Sequence, residues 1–352
     1  MILYSLVAVL AVGLTLPVDN HYENKGFLYT RQQVLNRLCL VSVFLLLFLV
    51  SALRLNVGND YAKYVEFMHL IRCDAVVPTE FGFNWVVKIL YGISGFENYL
   101  LVFAVFAFAT IYLFLKAIYQ QADSFPFSFF LFMALGYYFQ TFNTVRYYLA
   151  LAIALFAIPY VLRKEWGKLV LLILLGATMH KSLLVVIPLY FLASRCWKKW
   201  QLVLAALFCS TFFFLQDFYL KLVVFLYPTY EDTEYLEGGT SMINILRCAA
   251  VLVLALLCYK KCVKENIRNR FYFYCNLGAL VMYVCCSFLP IISRIGYYLT
   301  ITHIFFLPAL VNGIENEKLR KLCRVGVILA GIVYFAVFIL MKAGENGLRI
   351  LP

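Results

Sequence analysis

The sequence predicts an all-α, polytopic transmembrane helical bundle, and three observations predict it. Hydrophobic residues make up 64% of the 352-residue chain and charged residues only 14%, more apolar surface than a soluble core absorbs. Mean hydropathy is +0.86. Apolar runs recur along the whole chain, and the basic residues between them fall mostly in short loops, the positive-inside pattern. The net charge of +12 is therefore read as topology and not as a nucleic-acid surface.

About twelve spans fit the hydropathy, at residues 2–16, 38–53, 98–115, 126–142, 144–162, 167–179, 183–194, 201–216, 242–259, 272–289, 295–312 and 325–341. The stretch from Met1 to Leu16 has no positive n-region and no small-residue cleavage site, so it is expected to be a retained first span. With both termini outside, the loops near 17–37, 116–124, 163–168, 195–200, 260–270 and 315–324 lie inside. They hold 19 of the 30 Lys and Arg residues but only 7 of the 18 acids, which sets the orientation. The long outer loops are 54–97 and 217–241. In the first, Phe83 to Gly95 is apolar but too short to cross, and an interfacial or re-entrant helix is expected there. In the second, an amphipathic stretch from Asp217 to Tyr227 precedes Pro228 and the acidic run Glu231 to Glu237, ending at Gly238-Gly239. No linker separates domains, so residues 1–352 are expected to form a single integral membrane domain.

The hairpin from Gln140 to Ser182 organises the polar residues. It carries Asn143 and Arg146 at one end and His180 and Lys181 at the other, so both ends return to one side. Gly167 to Met179 is thirteen residues, about 20 Å of helix against a hydrocarbon core of about 30 Å. The turn at His180 is thus expected to be drawn into the membrane beside a water-filled cavity.

On the outer side the charged residues at helix ends are Arg54, Asp60, Glu80, Arg146, His180, Lys181, Arg247 and Arg294. Asn143 and Arg146, like Asn244 and Arg247, stand at i, i+3 and share a helix face. A single Arg at a helix end is ordinarily a snorkelling anchor, and a single His an interfacial residue. Several guanidinium groups on the side that the positive-inside bias disfavours are instead what a polyanionic ligand needs, because Arg grips phosphate oxygens bidentately. His303 is read as structural, and His21 and His69 as surface residues. The Tyr and Phe pairs are read as aromatic belt. The eleven cysteines suggest neither a disulfide framework nor a metal site.

Four motifs occur in order on that face: Arg54-x-x-x-Gly58-x-Asp60 with Tyr64 following, Glu80-x-Gly82-Phe83, Asn143-x-x-Arg146 and His180-Lys181-Ser182. Together they resemble the EpsG-like family of Wzy-type polysaccharide polymerases. The resemblance covers residues 40–200 well, and the C-terminal half mainly through hydropathy and Arg294. It implies a multi-pass protein of the bacterial inner membrane with a core similar to the GT-C glycosyltransferases. The implied reaction joins undecaprenyl-pyrophosphate-linked oligosaccharide repeat units of a capsule, exopolysaccharide or O-antigen at the periplasmic face. Its implied partners are lipid-linked donor and acceptor and, as an optional one, a chain-length regulator; no cofactor or metal is implied. For that chemistry Arg54, Arg146 and Arg294, with Lys181 and Arg247, are the pyrophosphate-binding candidates, Asn143 supports them, and His180, Asp60 and Glu80 compete as the base. A glycan-lipid flippase, an O-antigen ligase and a membrane acyltransferase are the alternative readings.

Overall fold

A computed structural model describes residues 2–22, 30–226, 242–288 and 292–344. These are helical throughout, with no strand among the described residues. Lys25 and the run from Glu231 to Gly239 lie outside them. The chain divides into two compact units, one formed by 1–160, 166–184 and 315–352, the other by 161–165 and 185–314.

The first unit opens with α1 (Ile2–Thr15), which buries Tyr4, Val7, Ala8, Ala11 and Thr15, a stripe at helical spacing. It packs on α2 (Arg31–Ala52), whose start is fixed by a capping box between Thr30 and Gln33. Val34, Leu38, Val41, Leu45 and Leu49 of α2 stay exposed, as an apolar face turned to lipid requires. Against α2 packs α5 (Tyr99–Gln121), capped by Asn98. Between them the chain forms two shorter helices, α3 (Tyr61–Arg72) and α4 (Phe81–Ser94), the latter closed by Gly95 in the left-handed conformation. The outer loop 54–97 is therefore folded: its apolar end is a helix as expected, and it contains an additional helix.

The expected span 126–142 is a break and not one helix. α6 (Phe125–Ala134) stops, Gly136 turns at φ +77°, and the one-turn α7 (Tyr137–Gln140) follows. The Tyr138 hydroxyl then donates to Leu47 O at 2.8 Å, tying the broken segment to α2. α8 (Val145–Leu162) and α9 (Trp166–Ala177) form the hairpin, and a 3₁₀ segment follows over Lys181–Val185. α17 (Glu317–Gly344) packs on α6. It starts earlier than expected, so residues 317–324 are its first turns and not loop.

The second unit contains α10 (Val186–Ala193), α11 (Lys199–Phe214), α12 (Gln216–Leu226), α13 (Met242–Leu257), α14 (Ile267–Cys285), α15 (Ile292–Thr300) and α16 (His303–Asn312). A π turn, Tyr259–Val263, and the first turn of α14 occupy most of the expected inner loop 260–270. The hub is α14, against which α10, α11, α13, α15 and α16 pack.

Among the described residues, five helical stretches are long and apolar enough to cross a membrane: Arg31–Ala52, Tyr99–Gln121, Val145–Leu162, Ile292–Asn312 and Glu317–Met341. A bent pair, Val203–Phe212 with Gln216–Leu222, makes six if it is one span.

Candidate active site

The polar residues of the first unit converge on Glu80. Its position follows from two backbone events. The hairpin helix α9 ends at Ala177 and the chain closes over it, with the Met179 and His180 N–H groups donating back to Gly176 O. This leaves the Thr178 carbonyl available, and it accepts the Gly82 N–H at 2.9 Å. A Cβ at position 82 would sit 2.6 Å from Thr178 Oγ1 and 2.7 Å from Thr178 O, so only glycine allows this approach. Glu80, the N-cap of α4, is thereby held against the turn at residues 178–181.

Three groups then meet its carboxylate. Oε2 accepts from Arg146 Nη1, in the first turn of α8. Oε1 accepts from the Lys181 backbone N–H at 3.0 Å and lies 3.4 Å from His180 Nδ1. All three side chains are mostly enclosed: Arg146 is 11%, Glu80 15% and His180 16% exposed. Burial by itself would raise the Glu80 carboxyl; the adjacent His180 imidazole, the Arg146 charge and the Lys181 amide together bring it down to about 2. Glu80 is therefore an anion at neutral pH and a poor proton acceptor. His180 Nδ1 faces this carboxylate, so a proton on that nitrogen would meet a negative charge. Tyr147 packs edge-on to the imidazole, ring centroids 5.7 Å apart.

The remaining motif residues brace this cluster. Tyr64 and Phe83, neighbours with ring centroids 5.9 Å apart, both offer rings to the Arg146 guanidinium, at 5.7 and 5.2 Å to their centroids. Asn143 Oδ1 accepts the Asn59 N–H at 3.2 Å. Gly58, at φ +102°, lets this turn press on the Phe142 carbonyl. Asp60 follows as the N-cap of α3 and is half-buried. Arg54 is only 4% exposed. It lies between Phe103 and Phe142, 5.0 and 5.2 Å from their centroids, with Nη1 donating to Ser51 O and Oγ. Its Nε and Nη2 have no hydrogen-bond partner among the described residues.

Arg247 and Arg294 belong to the second unit. Arg247 Nη2 donates to Asn244 Oδ1 and Thr300 Oγ1, both at 3.2 Å. The two Asn-x-x-Arg motifs thus differ in use: the second pairs within itself, the first reaches two other segments. Arg294 is half-buried on α15. His303 is fully buried and shares a 2.8 Å hydrogen bond with Asn276 Oδ1, the structural part expected of it. Ser51, Thr178 and Thr300 were not singled out from sequence; each acts through a backbone or hydroxyl contact that no sequence spacing announces. Among the described residues no group of three or more His, Cys, Asp or Glu could hold a metal ion.

Several apolar crossing helices around buried, braced polar side chains define a multi-pass helical membrane protein with an enclosed ionic site. The chain belongs to the EpsG family, whose model matches residues 37–352. This is the family of Wzy-like polysaccharide polymerases, and the match extends through the C-terminal half, beyond the stretch where the motifs are densest. No curated protein and no solved structure matches the chain.

The depressed Glu80 pKa has a pH signature. The folded value, about 2, lies below the ordinary 4.5, so its stabilisation is full above pH 4.5 and is lost as pH falls toward 2. Thermal stability of the detergent-purified protein is expected to drop across that window, by on the order of 3 kcal/mol at most. Glu80→Gln should remove the part of the drop due to this group and lower stability at neutral pH by about 3–5 kcal/mol, because Arg146 keeps a buried charge without its partner. An unchanged acid profile in the variant would show that Glu80 is not held as an anion.

Proposed function

We propose that this protein polymerises undecaprenyl-pyrophosphate-linked oligosaccharide repeat units at the outer face of a bacterial inner membrane, releasing lipid pyrophosphate. Family membership supports polysaccharide polymerisation, and the single observation that carries the mechanism is the Glu80–His180–Arg146 cluster. In the proposed reaction the acceptor hydroxyl oxygen bonds to the donor's anomeric carbon as the bond from that carbon to the pyrophosphate oxygen breaks. The hydroxyl proton goes to His180 Nε2, and the Glu80 carboxylate stabilises the imidazolium that forms. The electron pair leaves with the pyrophosphate, where negative charge grows and preorganised cations stabilise it. Arg146 and the exposed Lys181 are the cations beside His180. Arg54 adds positive potential from within the same unit; Arg247 and Arg294 are proposed as pyrophosphate ligands on their sequence pattern alone. Asp60 is the alternative base. In this reading guanidinium and ammonium groups meet the leaving-group charge without a metal ion.

Twelve crossings and a GT-C-like core belong to the same proposal. The shorter apolar helices, among them Ile2–Thr15, Trp166–Ala177 and Lys181–Ala193, would supply crossings beyond the long ones. α9 has twelve residues, about 18 Å, so the His180 turn would lie below the outer surface.

Deletion in the host followed by glycan electrophoresis tests the function. The polymer ladder should collapse to a single repeat unit; an unchanged ladder would remove this reading.

His180→Gln keeps a hydrogen-bonding side chain but loses the basic nitrogen. It should express normally and lose about 10²–10⁴-fold in rate. The inflection that His180 contributes to the pH–rate profile should vanish with it. Full activity at matched protein level would move the base to Asp60.

Arg146→Lys should be nearly as damaging as Arg146→Ala. An ammonium cannot both grip Glu80 and offer the planar face that meets the Tyr64 and Phe83 rings, and it lacks the fork for a phosphate. Polymer restored to wild-type length by Lys would make Arg146 a simple point charge.

A further inference from the structure

Beside Glu80, on the far side of α4's first turn, α3 and α4 enclose a cleft of about 200 Å³ that the mechanism above does not use. Its floor is Ile71 and its walls are Phe81, Asn84, Trp85, Lys88 and Asp74. The cleft is a built feature. α3 ends in a tight closure, with Ala75 N–H donating to Leu70 O at 3.0 Å and Asp74 in the left-handed conformation at φ 56°. This aims Asp74 across the cleft to Lys88, with which it forms an ion pair. On the other wall the Thr79 hydroxyl donates to Asn84 Oδ1, which leaves the Asn84 amide N–H groups to donate elsewhere.

The two aromatic rings are the unusual part. Phe81 is 65% and Trp85 59% exposed, with centroids 6.1 Å apart. They begin an exposed apolar stripe that continues through Ile89 and Ile93. Only the aromatic end of that stripe is flanked by an acid, an amide and an amine.

We infer that this cleft is a carbohydrate subsite that seats one sugar ring of the glycan beside Glu80, an inference that rests on the polymerase reading. The chemistry selects the class. A sugar has an apolar C–H face to lie on an indole and hydroxyls that both donate and accept. The cleft answers with an aromatic face, a carboxylate acceptor, and amide and ammonium donors. Its ionic charge cancels between Asp74 and Lys88, so it does not select a phosphate. A purely apolar ligand would strip water from three polar side chains without replacing their hydrogen bonds. The volume is below the roughly 300–1,000 Å³ of sites for drug-sized ligands, which fits a single ring of a longer chain. The Asn84 N–H donates to the Glu80 carbonyl at 3.2 Å, so the cleft and the carboxylate share one helical turn. A ring held here would bring its neighbour in the chain to the Glu80–His180 cluster.

The probe is the lipid-free repeat-unit oligosaccharide released from the host's own polysaccharide, titrated against purified protein with saturation-transfer NMR. Wild type should bind it, Trp85→Ala about tenfold more weakly and Trp85→Phe nearly as wild type, since an aromatic face is kept. Asp74→Asn with Lys88→Gln should weaken it as well. In turnover, Trp85→Ala should raise the acceptor KM and leave kcat near wild type. Binding by Trp85→Ala equal to wild type overturns the subsite. So does a Trp85→Ala protein that is depleted from the membrane fraction but binds the oligosaccharide unchanged, which makes the aromatic face a lipid anchor. The two readings fail separately. A ladder that collapses on deletion, with Trp85→Ala binding unimpaired, sinks the subsite alone. Binding through Trp85 with an unchanged ladder on deletion sinks the polymerase reading and leaves a glycan-binding membrane protein.

Discussion

A buried carboxylate needs partners, and the first unit is arranged to supply them to Glu80. Leaving such an anion unpaired in a mostly enclosed site costs several kcal/mol. Arg146 offers the opposite charge, the Lys181 amide a hydrogen bond and His180 a titratable neighbour. The arrangement is reciprocal. Arg146 sits in the first turn of α8, the end of a helix that disfavours a cation, and Glu80 offsets that. Glu80 itself stands at the N-cap of α4, the end that favours an anion. Three segments distant in sequence are thus joined by one carboxylate, and the Gly82–Thr178 backbone bond beneath it sets the approach.

The cations of this unit are held by aromatic faces as much as by acids. Arg146 meets the rings of Tyr64 and Phe83, and Arg54 those of Phe103 and Phe142. A desolvated guanidinium over a ring gains on the order of 2 kcal/mol without its charge being cancelled. For the proposed pyrophosphate ligand that difference would be an advantage. A carboxylate beside every Arg would compete with the ligand, whereas a ring holds the plane and leaves the positive potential in place. In the second unit the polar side chains follow a different logic. Asn276 takes His303 on its carbonyl side and donates its amide to Cys248 O, linking α13, α14 and α16 through fully buried groups. That chain satisfies polar atoms inside an apolar bundle, which is a stability task.

Much of this protein was legible in its sequence because a bilayer imposes rules that act on composition. Apolar fraction, helical class, the positions of α2, α5 and α8, and family membership all follow from runs and motifs that need no knowledge of tertiary contacts. The polar candidates were legible for the same reason: charge at the ends of apolar helices is costly, so Arg54, Glu80, Arg146 and His180 stand out without a structure. Short segments were less so. α3 is only moderately apolar and was hidden inside a loop, and the Gly136 break interrupts an otherwise continuous apolar run. What each candidate does was decided by tertiary contact alone. Asn143 and Asn244 stand at the same spacing before an Arg, yet one holds the Asn59 turn and the other its own Arg247. Glu80 and His180, a hundred residues apart, stand 3.4 Å from each other, and Arg146 and the Lys181 amide meet the same carboxylate. Sequence determines which groups are too costly to bury alone; the fold determines which partner each one finds, because partners a hundred residues apart are joined by packing and not by spacing.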